Sequence, residues 1–204
     1  MSISTHYGGS VLAVKSRNSI AFLTDLRLGQ GNFTTSMNFP KIHKITSKLF
    51  VGLPQFIPDA QFLLKKIIKN HNLFVLNENR PMEPEELTNM VSYILYSRRF
   101  TPLFTSPVIA GFNKFGEPYV SGMDQIGCLD EPEDFVVSGT AERNLAGMCE
   151  ALWQKDLEGE DLFVMAVQAF ANAIDRDALS GWGIEGFLIQ NEKVLQRRVR
   201  MRLD

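Results

Sequence analysis

Gly8-Gly9-Ser10-Val11-Leu12-Ala13-Val14-Lys15-Ser16-Arg17-Asn18-Ser19-Ile20-Ala21-Phe22-Leu23-Thr24-Asp25-Leu26-Arg27 is the stretch from which the fold can be read. Two short apolar runs, Val11-Leu12-Ala13-Val14 and Ile20-Ala21-Phe22-Leu23, flank the polar Lys15-Ser16-Arg17-Asn18-Ser19. Apolar runs of this length, bounded by turn-forming residues, predict two strands of a hairpin. After a turn at Gly29-Gln30-Gly31-Asn32, Ile42-His43-Lys44-Ile45 and Leu49-Phe50-Val51-Gly52-Leu53 read as further strands.

The period then changes. Ala60, Leu63, Leu64, Ile67 and Ile68 fall on one helical stripe, as do Leu87, Met90, Val91, Ile94 and Leu95. Pro84 with Glu83, Glu85 and Glu86 suits the start of the second helix. Strand-like segments return at 108–112, 119–122 and 135–137, with Gly111, Gly116, Gly122 and Gly127 expected at turns or bulges. Two more helical stripes follow, Leu145, Met148, Cys149, Leu152 and then Leu162, Met165, Ala166, Ala169, Phe170, Ala173. A hairpin around Asn191-Glu192 closes the order. Strands, two helices, strands, two helices and strands fit an α+β layered fold, for example two antiparallel sheets face to face with helices outside. Other α+β arrangements share this order.

The chain has 204 residues and a mass of 23.0 kDa, a length that suits one domain. Surface scaling gives roughly 9,600 Å² folded against roughly 33,000 Å² unfolded, enough burial to fold without disulfides or metals. Lys and Arg number 21 against 23 Asp and Glu, a net charge of −2, so neither disorder nor nucleic-acid binding is indicated. Cys128 and Cys149 form no CxxC and read as buried free thiols. His6, His43 and His71 are too scattered for a metal cluster and read as surface imidazoles, so no metal or cofactor is expected. No signal-like leader and no membrane-length apolar run occurs, which predicts a soluble, intracellular chain with no membrane partner. The 15 Phe are a generous apolar supply, with subunit contacts as one outlet.

Gly29-Gln30-Gly31 lacks what a dinucleotide or phosphate loop needs, and Gly8-Gly9-Ser10 lacks the setting of a hydrolase elbow. Arg197, Arg198, Arg200 and Arg202 form a basic cluster too short for nucleic acid and are expected to be solvated or to face an interface. Four polar islands beside strand ends remain: Asp25-Leu26-Arg27, Lys41, Ser138-Gly139-Thr140 and residues 175–181. A Lys held near carboxylates can lower the pKa of a neighbouring hydroxyl or amine, and Ser and Asp can orient a terminal amino group. Singly, each island has a plain alternative: Asp25 ends a strand, Lys41 lies at the surface, Ser138 precedes a helix, and Arg176 pairs with nearby carboxylates.

Taken as an ordered set, Gly8-Gly9-Ser10, Asp25-Leu26-Arg27-Leu28-Gly29, Lys41-Ile42, Val137-Ser138-Gly139-Thr140-Ala141, residues 175–183 and Met201-Arg202-Leu203-Asp204 resemble the proteasome β subunits over almost the whole chain. The resemblance implies the four-layer αββα sandwich of the N-terminal nucleophile hydrolases. It implies a single domain over residues 1–204, with residues 1–8 a short N-terminal extension and 196–204 a C-terminal tail that contacts neighbours. Active members expose a threonine by cutting after glycine, and its amino group serves as the base. Carried over residue by residue, the supporting positions fall on Asp25, Lys41, Ser138, Asp177 and Ser180, while the nucleophile position falls on Gly9, which has no hydroxyl.

The resemblance therefore implies an inactive homologue of threonine proteases, with no catalytic residue of its own. Its role would be structural, forming the chamber wall of the 20S core and supporting active neighbours in ATP- and ubiquitin-dependent protein degradation. Implied partners are β types 2 and 4 as ring neighbours, the α ring, the opposite β ring and polypeptide substrates, in cytoplasm and nucleus. Asp124 and Cys128 would line the substrate pocket of a neighbour, with a glycine-held turn and a buried thiol as the alternative. The rival reading is an active hydrolase that uses Ser10 after processing at Gly9. Ser10 is one residue out of register, however, and a one-residue shift turns a strand side chain to the other face. The leader before Gly9 is accordingly expected to stay uncut.

Overall fold

The hairpin expected from residues 11–23 is present as β1 (Ser10–Lys15) and β2 (Ser19–Asp25), antiparallel with Val11 opposite Thr24 and Lys15 opposite Ile20. The structure is a computed structural model that describes residues 2–203. Met1 and Asp204, the ends of the expected extension and tail, lie outside the described residues. One sheet has the order β10 (Phe135–Gly139), β1, β2, β11 (Ile184–Gln190) and β12 (Val194–Val199). The other runs β5 (Ile42–Lys44), β6 (Leu49–Gly52), β7 (Val108–Phe112), β8 (Pro118–Met123) and β9 (Leu129–Asp130). Every pairing is antiparallel.

Both faces of the central strands are covered, which is why their apolar residues run without interruption. On β1 and β2, Val11, Ala13, Ile20 and Phe22 meet Phe50, Val108 and Ala110 of the second sheet. Their alternates Leu12, Val14, Ala21 and Leu23 pack beneath α3 (Glu142–Leu152) and α4 (Gly159–Ile174). On the far side, Leu49, Val51 and Ile109 meet α1 (Ile57–Glu78) and α2 (Pro84–Tyr96) through Leu63, Ile67, Leu87, Val91 and Leu95. The result is the αββα sandwich. α1 ends in a left-handed Asn79, and α2 opens on a capping box in which Glu83 and Glu86 bond each other's backbone, the role its acidic start foreshadowed.

Several expectations need correction. Residues 28–36 are more than a turn: β3 (Leu28–Gln30) and β4 (Phe33–Ser36) form a separate two-stranded ribbon. Residues 196–199 belong to β12 rather than the tail, because their charges are accommodated at a sheet edge. There Arg197 forks onto Glu160 at 2.5 and 2.6 Å, and Arg198 meets Glu185 at 2.9 Å. Gly111 and Gly122 sit inside strands where the sheet is closely approached, not at turns. His71 is buried on the inner face of α1, and Cys128 is exposed.

Cys149 is buried against α4 and β1 as expected, and its thiol is pushed up to about 12, first by burial and then by the charge of Asp134. The folded chain keeps this proton at pH values where an unfolded thiol has lost it. Its contribution to stability is therefore intact below the ordinary thiol range and is lost as pH rises through that range towards 12. Iodoacetamide at neutral pH is expected to alkylate Cys128 and spare Cys149 until the chain is unfolded. Equal labelling of both thiols in the native protein would contradict this placement.

Candidate functional site

The antiparallel register of β1 and β2 brings the start of one strand beside the end of the other, so Ser10 N–H donates to Asp25 Oδ1 at 2.9 Å. Lys41 reaches the same carboxylate from the segment entering the second sheet, with Nζ 2.9 Å from Oδ1. Both side chains have no solvent exposure. The ammonium also donates to the carbonyls of Asp25 at 3.1 Å, Arg27 at 2.9 Å and Phe39 at 3.4 Å. Asp25 Oδ2 accepts the amides of Arg27 at 3.2 Å and Gly181 at 3.3 Å. Burial pushes the Lys41 pKa below the ordinary lysine range, and the charge of Asp25 opposes that shift. The surface reading of Lys41 is thus overturned. A buried ion pair with every polar group satisfied is costly to break from either side.

Gly9 lies directly on this pair. Its φ is +105°, and a Cβ built there would stand 2.2 Å from Lys41 Cε and 2.8 Å from Cδ. The aliphatic stem of Lys41 therefore occupies the space a side chain at position 9 would need. Its ammonium is held by four acceptors already, none of them a hydroxyl at position 9.

Ser10 points to the opposite layer, as its register requires. It is fully buried, its Oγ 2.9 Å from Ser180 Oγ and accepting the amide of Ala141 at 3.0 Å. Thr140 continues the chain of hydroxyls, 3.1 Å from Ser180 and donating to Asp177 Oδ2 at 2.6 Å. Asp177 Oδ1 also accepts the amide of Leu179 at 3.1 Å. Ser138 joins neither group: it lies in β10, and its hydroxyl donates to the carbonyl of Ser106 at 2.8 Å. The five expected positions thus divide. Asp25 and Lys41 meet at Gly9, Asp177 and Ser180 hold Ser10 and Thr140 on the helix side, and Ser138 ties down the segment before β7.

Two contributors were not singled out by sequence reasoning, although both stand in the polar islands. Thr140 is one. Arg27 is the other: its buried guanidinium donates to Leu179 O at 3.0 Å, Gly31 O at 2.9 Å and Thr34 Oγ1 at 3.0 Å, joining the ribbon to the loop after α4. Arg176 makes no ion pair among the described residues. Nor, among those residues, does any group of His, Cys, Asp and Glu have the makings of a metal site.

Asp124 and Cys128 are exposed on the turn between β8 and β9. Asp124 Oδ1 accepts the amides of Ile126 at 3.0 Å and Cys128 at 2.8 Å, so the carboxylate shapes its own loop. Gly127, at φ +85°, presses on α2, where Ser92 Oγ donates to its carbonyl at 2.6 Å. Both Asp124 and Cys128 line a 310 Å³ cavity with Asp130, Glu142 and Ser138.

The model of the family described as Proteasome subunit matches residues 5–189. The proteasome subunit beta type-3 of Saccharomyces cerevisiae is 45% identical over 97% of this chain and 96% of its own. The probable proteasome subunit beta type-3 of Schizosaccharomyces pombe is 41% identical over the full length of both chains, and the subunit beta type-3 of Drosophila melanogaster 40% over the same extent.

Because position 9 has a positive φ and no free space, Gly9→Ala is expected to lower the stability of the full chain by about 2 kcal/mol. The measurement is the shift of the denaturant midpoint, and an unchanged midpoint would show that Lys41 yields its place freely.

Proposed function

The chain belongs to the proteasome subunit family, as a core β subunit that assembles with other proteasome subunits, and from that premise we propose that it is a non-catalytic member. The observation that carries this reading is the stem of Lys41 lying where a nucleophile's side chain would stand, beside a glycine that has none. Residues that in active relatives support a threonine serve here to close the sheet end. The work of the chain is then to form part of the chamber wall and hold active neighbours in place, in ATP- and ubiquitin-dependent degradation of polypeptides. Its ring neighbours are β types 2 and 4, its further contacts the α ring and the opposite β ring, and its compartments cytoplasm and nucleus.

No observation favours the rival hydrolase acting through Ser10. That hydroxyl is fully buried and engaged by Ser180 and Ala141, which leaves no path for a substrate carbonyl. The exposed pair Asp124 and Cys128 supports a contribution to the substrate pocket of a neighbour, with the carboxylate favouring basic or polar substrate groups.

Native mass spectrometry of the complex from its source, followed by intact mass of this chain after a hydroxyl-directed electrophile, tests the reading. A chain in a large hetero-oligomer, continuous across Gly9-Ser10 and unlabelled, is expected. A chain beginning at Ser10 and carrying the label would overturn it. In the same particle, Asp124→Ala is expected to slow cleavage after basic residues severalfold, whereas unchanged cleavage removes the pocket assignment.

A further inference from the structure

At the far end of β1 from Gly9, the chain forms a cavity of about 580 Å³ beside the turn into β2. The end of β1 and the turn line it with Lys15, Ser16 and Arg17, and the loop after α3 with Trp153 and Lys155. Ser16 is the buried member of this lining, 7% exposed, and its Oγ has no hydrogen-bond partner among the described residues. A hydroxyl buried in that state costs free energy unless a group from outside the chain bonds it. The three cations are held loosely. Lys15 meets Glu133 at 3.4 Å, but that carboxylate is 96% exposed. Arg17 pairs with Asp156 at 3.0 Å with both side chains mostly exposed, and Lys155 has no carboxylate partner among the described residues. Exposed pairs of this kind are weak, so the oxygens of a ligand can replace them. The half-buried Trp153 is steadied by its Nε1–H, which donates to the Lys15 carbonyl at 3.4 Å, and its ring belongs to the same wall.

The mixture of groups selects the ligand. A metal ion would meet three cations. Free phosphate, or nucleic acid with its continuous charge, would meet the carboxylates of Glu117 and Glu133, which also line the cavity. A small molecule with an anionic group at one end and a flat, neutral, hydrogen-bonding remainder uses every group. We propose that this cavity binds a mononucleotide, with phosphate oxygens on Lys15, Arg17 and Lys155 and the base against the Trp153 ring. Sugar and base hydrogen bonds then go to Ser16 Oγ and to the carboxylates; Glu117 accepts one bond already, from Asn113 at 2.9 Å, and has capacity for more. The volume falls within the roughly 300–1,000 Å³ of small-molecule sites. The proposal goes beyond the subunit reading and does not depend on it.

The test is photolabelling with azido-ADP of the full chain, purified from its source in its native assembly. The label is expected on residues 15–17 or 153–155, and ADP should compete for it about tenfold better than pyrophosphate or adenosine. Lys155→Glu is expected to cut labelling at subsaturating probe about tenfold, while Lys155→Arg keeps it. Ser16→Ala separates a binding role from a structural one: the variant should unfold at an unchanged or higher denaturant midpoint, because an orphaned hydroxyl is removed, and yet label less. No label on these residues, labelling indifferent to Lys155→Glu, or a Ser16→Ala variant that labels like the wild type would overturn the proposal. Pyrophosphate competing as well as ADP would overturn the assignment to a nucleotide. None of these results bears on the subunit reading.

Discussion

The buried ion pair of Lys41 and Asp25 is the constraint around which this end of the molecule is arranged. Two opposite charges without solvent are tolerated only if each remaining donor and acceptor finds a partner. Satisfying them recruits the amides of Ser10, Arg27 and Gly181 and the carbonyls of Asp25, Arg27 and Phe39. Those groups come from β1, the end of β2 and the residues just after it, the segment between β4 and β5, and the loop before β11. The pair therefore pins both sheets and the turn after α4 to one point, and the glycine at position 9 is the gap that lets the lysine stem pass.

That arrangement sets a buried lysine beside a glycine, with no side chain at position 9 for it to act on. A lysine beside a strand terminus can tune a nucleophile only if a nucleophile stands there, and here its hydrogen bonds run to carboxylate and backbone alone. The second polar group, from Ser10 through Ser180 and Thr140 to Asp177, performs a similar task on the helix side. What faces outward is of a different kind: the exposed aromatics Tyr93, Tyr96 and Phe100, the loop of Asp124 and Cys128, and the open edge of β12. Exposed surfaces of this kind suit a member of a family of assembling subunits.

Local pattern carried much of the fold. The runs at 11–14 and 20–23, and the helical stripes from Ala60, Leu87, Leu145 and Leu162, mark elements whose packing agrees with their own periodicity. The ribbon of β3 and β4 escaped because Thr34, Thr35 and Ser36 carry no apolar alternation, and the ribbon depends on Arg27 reaching back from its base. The burial of Lys41 was equally hidden, since its partner is sixteen residues away and only the fold brings them together. The separation of Asp25 and Lys41 from Asp177, Ser180 and Ser138 into different groups has the same origin: strand register decides which side each hydroxyl faces.

A double-mutant cycle on Asp25 and Lys41, by equilibrium unfolding of the full chain, tests the central claim most directly. Asp25→Asn and Lys41→Met are each expected to cost about 3 kcal/mol or more, and the double variant markedly less than their sum, because each single change leaves the other charge buried alone. Small, additive losses would contradict the account, for they would mean that the pair holds nothing together.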